Sequence, residues 1–199
     1  MRALKLFNIL LPATVPAGLR IKSGLIISLI VVFSNAVFSQ KISLNEFIPD
    51  GYSVLDTSRG DLNKDGFDDL VLILKNNSEA DYTDTLRPLL ILQGQKNGRF
   101  KLVERNDNIV LCLGCGGVFG DPYTGITIKN NYFSIEHYGG SSWRWTRIIT
   151  FKYNLTSKEY ILYKDAGESY HTSDPDKTEN QTYNKKLWGK KKLKDYIVE

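Results

Sequence analysis

Four oxygen-bearing side chains recur at short spacing in the stretch 60–74, which reads GDLNKDGFDDLVLIL. They are Asp61, Asn63, Asp65 and Asp69. Calcium binds six to eight oxygen ligands at about 2.3 to 2.6 Å, so oxygens at every second position of a tight turn can converge on one ion. Gly66 permits the bend that closes such a turn, and the backbone carbonyl of Phe67 would add a further oxygen. The stretch therefore predicts a calcium loop.

The same residue types also form ordinary turns, because Asp and Asn side chains hydrogen-bond to nearby backbone N–H groups. The combination of four spaced oxygens, a glycine and a following strand favours calcium. Position twelve of a helix-loop-helix calcium site is a bidentate Glu, but here it is Leu72, within an apolar run typical of a buried strand. The predicted loop is thus not an EF-hand.

In its residues, GDLNKDGFDDL resembles the D-x-[DN]-x-D-G-x-x-D loop of FG-GAP and VCBS-type segments, which lies between strands of extracellular β-proteins. Those families repeat the loop once per blade to build a propeller, whereas this chain carries one copy. We therefore expect a calcium loop of this type without a propeller.

The two cysteines of the chain, Cys112 and Cys115, form the sequence Cys-Leu-Gly-Cys. A zinc site needs about four ligands, and the remaining candidates, His137 and His171, are scattered. A thioredoxin-like motif would open a helix, whereas residues 111–113 read as strand. In an oxidising compartment we expect a local disulfide, which shapes the turn and gives little entropic stabilisation because its loop is very short.

The residues suited to catalysis form no recognisable set. Glu136 and His137 are neighbours in a strand pattern and so point to opposite faces. A carboxylate pair for glycoside hydrolysis could be drawn from Asp121, Glu136 or Glu168, but the spacing singles out no two. We therefore name no catalytic residue and predict a non-enzymatic protein, with a hydrolase as the least favoured alternative.

Aromatic side chains cluster around one predicted hairpin and include Tyr132, Tyr138, Trp143 and Trp145. Such residues stack on sugar rings or anchor protein interfaces, because Trp and Tyr dominate interface hot spots. The two tryptophans share a strand face with Ile149 and Phe151, which favours the core for both. Tyr138 is the candidate for exposure. Together Tyr138, Trp143 and Trp145 are the possible binding surface.

Residues 1–39 have the composition of a secretory signal peptide. They contain four basic residues and no acidic one, the apolar run 25–33, and the ending Ala36-Val37-Phe38-Ser39. The apolar run is too short for a membrane span of about 20 residues. We expect cleavage before Gln40 and a periplasmic or secreted protein with no transmembrane span after processing.

The basic charge of the chain belongs to this leader. The whole chain has 26 basic and 22 acidic residues, and loss of the four leader residues would leave 22 of each. A neutral exported protein is not expected to bind nucleic acid. Residues 185–199 contain six lysines and are predicted to be a solvated, lysine-rich C-terminal tail.

Residues 40–184 suit a single β-rich domain, because apolar or alternating runs recur at intervals of about ten residues with short connections. This pattern predicts an antiparallel β-sandwich or open barrel with little helix. The one predicted helix is 43–48, and 166–186 is predicted as an extended loop. Strands are predicted at 53–55, 70–74, 89–93, 100–104, 109–113, 126–128, 132–138, 143–153 and 159–163.

The blocks GDLNKDGFDDL, EHYGGSSWRW and TFKYN resemble a group of small exported bacterial proteins. Its better-understood relatives are periplasmic inhibitors of lysozyme-type enzymes and immunity proteins against secreted peptidoglycan hydrolases. The resemblance implies a β-sandwich with one structural calcium ion that blocks a hydrolase cleft by loop insertion. The expected partner is then an exported cell-wall hydrolase. The alternative is a carbohydrate-binding or surface adhesion domain that binds a glycan through the aromatic hairpin.

Overall fold

The structure is a computed structural model that describes residues 44–80 and 86–198. These residues belong to one compact unit, Gln40–Glu199. The predicted signal peptide, its cleavage site and Ser43 of the predicted helix lie outside the described residues. Within the described ranges, no helix is long and apolar enough to cross a membrane.

Nine strands in this part of the chain form two antiparallel sheets, which confirms the prediction of an antiparallel β-sandwich. Sheet A has the order β1-β2-β3-β4 and consists of β1 (Tyr52–Gly60), β2 (Asp69–Asn76), β3 (Leu89–Gly94) and β4 (Phe100–Asn106). Sheet B has the order β5-β6-β7-β8-β9 and consists of β5 (Tyr123–Lys129), β6 (Tyr132–Gly140), β7 (Trp143–Asn154), β8 (Glu159–His171) and β9 (Thr178–Thr182).

The core between the sheets follows from the two-residue alternation of side chains along a strand. In β6, Phe133, Ile135 and His137 lie on one face and are all buried. Phe133 lies opposite Phe151 of β7, and their rings stack with centroids 5.6 Å apart. Further buried residues of this core are Val71, Ile73, Leu89, Ile91, Ile149, Tyr160 and Leu162.

A charged residue, Arg147, also points into the core from β7, where it is buried. Its guanidinium donates hydrogen bonds of 2.9 and 2.8 Å to the Asp165 carboxylate of β8. The Tyr196 hydroxyl donates to the same carboxylate. A buried charge is tolerated when it is paired and hydrogen-bonded, and this pair links β7, β8 and the C-terminal segment.

The C-terminal segment, predicted as a solvated tail, packs on this core. It contains two short 3₁₀ helices, Lys185–Leu187 and Leu193–Asp195. Leu193 and Tyr196 are buried, and the Tyr196 ring meets Phe151 with centroids 5.7 Å apart. Apolar residues are interleaved with the lysines, so the segment buries the former while Lys185, Lys186 and Lys190 stay exposed.

Strands β2 and β3 are apolar on both faces. On the face away from the main core, Leu72, Leu74 and Leu92 pack against residues that include Phe47 and Ile48. These two belong to an N-terminal segment whose 3₁₀ helix, Asn45–Phe47, is shorter than the predicted helix at 43–48. The helix ends early because the residue before a proline, here Ile48 before Pro49, is disfavoured in helical backbone.

The prediction of a strand at 109–113 is wrong. Ile109 and Val110 are buried, but these five residues form no sheet ladder. The backbone N–H of Leu111 instead donates to Nε2 of His137 at 3.4 Å. An apolar run indicates that side chains are buried, and it does not by itself indicate a strand backbone.

The prediction of an extended loop at 166–186 is also wrong. Strand β8 continues to His171, and residues 178–182 form β9 at the edge of sheet B. The sequence of β9 is TENQT, and all but one of its residues are exposed. A polar edge strand lacks the alternation by which strands are recognised, and its polarity guards the open sheet edge against further pairing.

Candidate calcium loop and apical surface

The predicted calcium loop connects β1 to β2 within sheet A. The Asp61 carboxylate accepts hydrogen bonds from the backbone N–H groups of Asp65 at 3.2 Å and Gly66 at 3.0 Å. Lys64 and Gly66 have left-handed backbone, with φ of 64° and 87°. The chain therefore wraps around the Asp61 carboxylate and closes at the glycine that the sequence indicates.

Asn63 and Asp65 lie side by side in this loop. Asn63 Nδ2 donates to Asp65 Oδ2 at 2.8 Å, and Nε2 of Gln93, from β3, donates to the same oxygen at 3.1 Å. Asp65 is exposed, but the water that its carboxylate loses in the folded loop opposes its ionisation. The hydrogen bonds from the Phe67 N–H, Asn63 and Gln93 outweigh that loss and lower the pKa of Asp65. The loop thus carries a stabilised negative charge next to an amide.

Asp69, the last residue of the motif, is fully buried at the start of β2. Its carboxylate accepts the backbone N–H groups of Leu62 at 3.0 Å, Asn63 at 3.3 Å and Gly94 at 3.0 Å. Burial raises the pKa of Asp69, and the nearby negative charge of Asp65 raises it further. The three hydrogen bonds lower the pKa and offset part of this rise. Asp69 therefore ties the loop to β3.

The donor set of the loop fits calcium chemically, because it consists of oxygens. The residues that would hold the ion are Asp61, Asn63, Asp65, Asp69 and, through its carbonyl, Phe67. Asp65 and Asp69 lie close enough for the charge of one to raise the pKa of the other, and a bound dication would relieve that repulsion. Within the described ranges, no group of three or more His, Cys, Asp or Glu residues is arranged to hold a metal ion. The loop carboxylates instead accept hydrogen bonds from backbone N–H groups.

The neighbouring acid, Asp68, points out of the loop. Its carboxylate accepts a hydrogen bond of 2.9 Å from Arg59 Nε, and both side chains are about half exposed. An exposed ion pair of this kind contributes little to stability. Asp68 is therefore a matched control for the three loop aspartates.

The predicted disulfide between Cys112 and Cys115 is confirmed, with Cα atoms 5.1 Å apart. It lies in the segment 111–121, which we call the disulfide loop. Gly117 forms a parallel bridge with Gly140 of β6, and the Val118 N–H donates to the Gly140 carbonyl at 3.2 Å. A Cβ atom at Gly117 would lie 2.8 Å from that carbonyl, so glycine is required for the contact. The loop is thereby fixed against the end of β6.

Arg87, which was not predicted from the sequence, holds the base of the disulfide loop. Its fully buried guanidinium donates to the Leu111 carbonyl at 3.3 Å and to both carboxylate oxygens of Asp121 at 2.7 and 2.9 Å. Glu79 accepts two further hydrogen bonds of 3.0 Å each. One side chain thus joins the two ends of the loop. The one signal in the sequence is a lone arginine within the apolar run Leu-Arg-Pro-Leu-Leu.

The tip of the disulfide loop exposes two apolar side chains, Val118 (72%) and Phe119 (46%). The Phe119 ring packs beside Tyr138 with centroids 5.2 Å apart, and the Arg144 guanidinium lies 4.2 Å from the Phe119 ring centre. These contacts fix an exposed aromatic ring in one position. Neither tip residue was predicted from the sequence, where their one signal is an apolar pair inside a glycine-rich run.

The tryptophans of the predicted binding surface differ in exposure. The prediction that Trp143 belongs to the core is wrong, because its side chain is 51% exposed. Trp143 is the first residue of β7, where the strand face extends past the core, and its ring contacts that of His171. Trp145 is partly buried over Gly139, where a Cβ atom would lie 2.5 Å from the indole. We give the name apical surface to the tip and its neighbours at this end of the sandwich, of which Tyr138 and Arg144 are partly buried. It consists of Val118, Phe119, Tyr138, Trp143 and Arg144.

The residues weighed for catalysis lie in separate environments. His137 is buried between the sheets, which lowers its pKa to about 4, and in the described part of the chain its Nδ1 has no hydrogen-bond partner. Glu136, on the opposite face, accepts a hydrogen bond of 2.8 Å from Thr127 Oγ1. Asp121 binds Arg87, as described above.

The calcium loop and the apical surface lie at opposite ends of the sandwich. Gly60, which precedes the loop, packs against Ile128 near the turn between β5 and β6. The apical surface lies at the Gly140 end of β6, roughly 25 Å away along the strand. No protein-family model, curated protein or solved structure matches this chain.

Proposed function

We propose that this chain is an exported, calcium-stabilised, non-enzymatic binding module that inserts its disulfide loop into the cleft of a cell-wall hydrolase. The observation that carries the proposal is the preformed apolar tip. Val118 and Phe119 are exposed on a loop that is restrained by a disulfide, by Arg87 and by the bridge to β6.

A rigid apolar tip suits a concave protein partner. Exposed apolar residues that form one patch mark interaction sites, and Trp, Tyr and Arg are enriched among interface hot spots. Two of these types contact Phe119 at the tip, as Tyr138 and Arg144, and Trp143 is exposed at the same end of sheet B. Because the loop is already ordered, it loses little conformational entropy on binding.

Arg144 supports a glycoside-cleaving enzyme as the partner. Such enzymes carry two carboxylates on either side of the bond that they cleave. A cation beside the tip would face those carboxylates while Val118 and Phe119 fill the substrate groove, and complementary charge speeds association. Tyr138, Trp143 and Arg144 all belong to EHYGGSSWRW, one of the blocks that resemble the inhibitor and immunity proteins.

The role proposed for calcium is structural. The ion would be held by Asp61, Asn63, Asp65, Asp69 and the Phe67 carbonyl, where it would neutralise carboxylate charge. Those residues join β1 to β2 and, through Asp69 and Gln93, to β3. Calcium would thereby stabilise the end of the sandwich opposite the apical surface.

Replacing both tip residues, as Val118→Ser with Phe119→Ser, is expected to weaken binding to the hydrolase at least 30-fold. Truncation of hot-spot residues costs about 2 kcal/mol or more, which corresponds to that factor. The measurement is calorimetric titration of the chain without residues 1–39 into a panel of lysozyme-type hydrolases.

Leu102→Ser is the matched control, because Leu102 is 41% exposed but lies in β4 of sheet A. This variant should bind as the wild type does. Equal affinity of the wild type and the double variant would show that the disulfide loop is not the contact. The absence of binding across the panel would contradict the proposed class of partner.

A further inference from the structure

A second concave site lies at the calcium-loop end of the sandwich. It is a cleft of about 470 Å³ between the loop, the strands β3 and β4, and the turn that joins β7 to β8. Its volume falls in the range of about 300 to 1,000 Å³ that is typical of ligand sites. The residues that give it its chemistry are Asp65, Gln93, Glu104, Tyr153, Lys158 and Tyr160.

Tyr160 is the residue that points to a ligand. Its side chain is 4% exposed, and its ring is held between Phe133 and Tyr153, with centroids 5.8 and 5.0 Å away. Its hydroxyl makes no hydrogen bond to any described residue, although buried tyrosine hydroxyls ordinarily find a partner.

The hydroxyl is not sealed inside the protein. Among the described residues, the one fully buried polar side-chain atom without a hydrogen-bond partner is Nδ1 of His137, so the Tyr160 hydroxyl is not fully buried. Tyr160 lines the cleft, and burial together with the charges of Asp69, Glu104 and Asp65 raises its pKa. An unpaired hydroxyl, held rigidly and open to a cleft, is placed to pair with a bound molecule.

The other groups in the cleft restrict what that molecule can be. Asp65 and Glu104 are acceptors that disfavour an anionic ligand. Lys158 is a donor, the Gln93 amide donates one hydrogen bond to Asp65 and keeps a second N–H, and the tyrosine hydroxyls can donate and accept. A neutral ligand with many hydroxyl groups satisfies this mixture, because each hydroxyl donates and accepts. The half-buried Tyr153 adds an aromatic surface for the apolar face of a sugar ring.

A neighbouring cleft of about 380 Å³ shares Tyr153 and Leu155 with the first. It contains further polar and aromatic side chains, among them Asn131 and Tyr163. The two clefts therefore adjoin each other. Their arrangement suits a short glycan chain better than a monosaccharide.

We propose that this cleft binds a neutral saccharide, with one sugar hydroxyl paired to Tyr160 and another to Glu104. The site lies at the end of the sandwich opposite the apical surface and does not depend on the proposed hydrolase partner. Because Asp65 also belongs to the calcium loop, the test leaves Asp65 unchanged.

The test is an NMR titration of the ¹⁵N-labelled chain without residues 1–39, in calcium buffer, with maltotriose, cellotriose and the N-acetylglucosamine trimer at millimolar concentration. At least one of these should shift the backbone amides of Gln93, Glu104 and Lys158. Tyr160→Phe should weaken that binding about tenfold, the effect of losing one hydrogen bond to the ligand. Its Tm should equal that of the wild type, because the hydroxyl has no protein partner.

Tyr170→Phe is the control, since its hydroxyl lies 3.4 Å from that of Tyr138 at the other end of sheet B. This variant should bind the saccharide as the wild type does. Three results would overturn the proposal. They are the absence of amide shifts with all three sugars, a saccharide affinity of Tyr160→Phe equal to that of the wild type, and a Tm of Tyr160→Phe below that of the wild type.

Discussion

Replacing Arg87 by methionine is expected to lower the free energy of unfolding by about 3 to 5 kcal/mol, the cost of removing one partner from a buried ion pair. Methionine keeps most of the side-chain volume but removes the charge. Glu79, whose side chain is 9% exposed, and Asp121 would then face each other without a cation. The Leu111 carbonyl would lose its donor as well.

The control for this variant is Arg105→Met. Arg105 also makes a two-pronged pair, with Asp107, but its side chain is 45% exposed, so the expected loss is about 0 to 1 kcal/mol. The measurement is urea denaturation, read as the shift in midpoint at an unchanged m-value. If Arg87→Met cost no more than Arg105→Met, Arg87 would not hold the disulfide loop.

Removing calcium is expected to lower the free energy of unfolding by roughly 2.7 kcal/mol when free calcium had been about a hundred times its dissociation constant. The ion should bind the folded loop and hardly the unfolded chain, so its loss is a loss of folded-state stability. Without it, Asp65 and Asp69 repel each other inside a partly buried loop. The measurement is a thermal melt with calcium and with chelator, beside a calorimetric titration.

Asp61→Ala and Asp65→Ala should abolish both calcium binding and the shift in Tm, whereas Asp68→Ala should abolish neither. Asp61 also accepts two backbone hydrogen bonds, so its loss lowers stability even without calcium. The informative quantity is therefore the calcium-dependent shift and not the absolute Tm. Magnesium should substitute poorly, because its smaller octahedral shell suits such a loop badly. A wild-type melt indifferent to chelator, with no binding heat, would make the motif an ordinary turn.

The parts of the fold that the sequence predicts well are local patterns. The alternation in β6 and β7 places Phe133 and Phe151 on the correct face. The Asn130-Asn131 pair predicts the turn between β5 and β6, where Asn130 has left-handed backbone. These signals depend on neighbouring residues alone, so they do not require knowledge of the tertiary structure.

The parts that the sequence does not predict depend on distant contacts. Strand β9 is polar because it lies at a sheet edge, and the C-terminal segment looks solvated until Leu193 and Tyr196 meet the core. Dependence on distant contacts also explains why one candidate site was predicted from the sequence and the other was not. The calcium loop is contiguous in sequence, whereas the apical surface needs Phe119 to meet Arg144.

The central claim, that the chain is a binding module that blocks a cell-wall hydrolase, is tested most directly by peptidoglycan lysis. Cell-wall suspensions are incubated with a lysozyme-type hydrolase that the chain binds, while the concentration of the chain without residues 1–39 is increased. Lysis is expected to stop near one chain per hydrolase, and the chain alone should release no fragments. Undiminished lysis at saturating chain, or fragments released by the chain alone, would contradict the central claim.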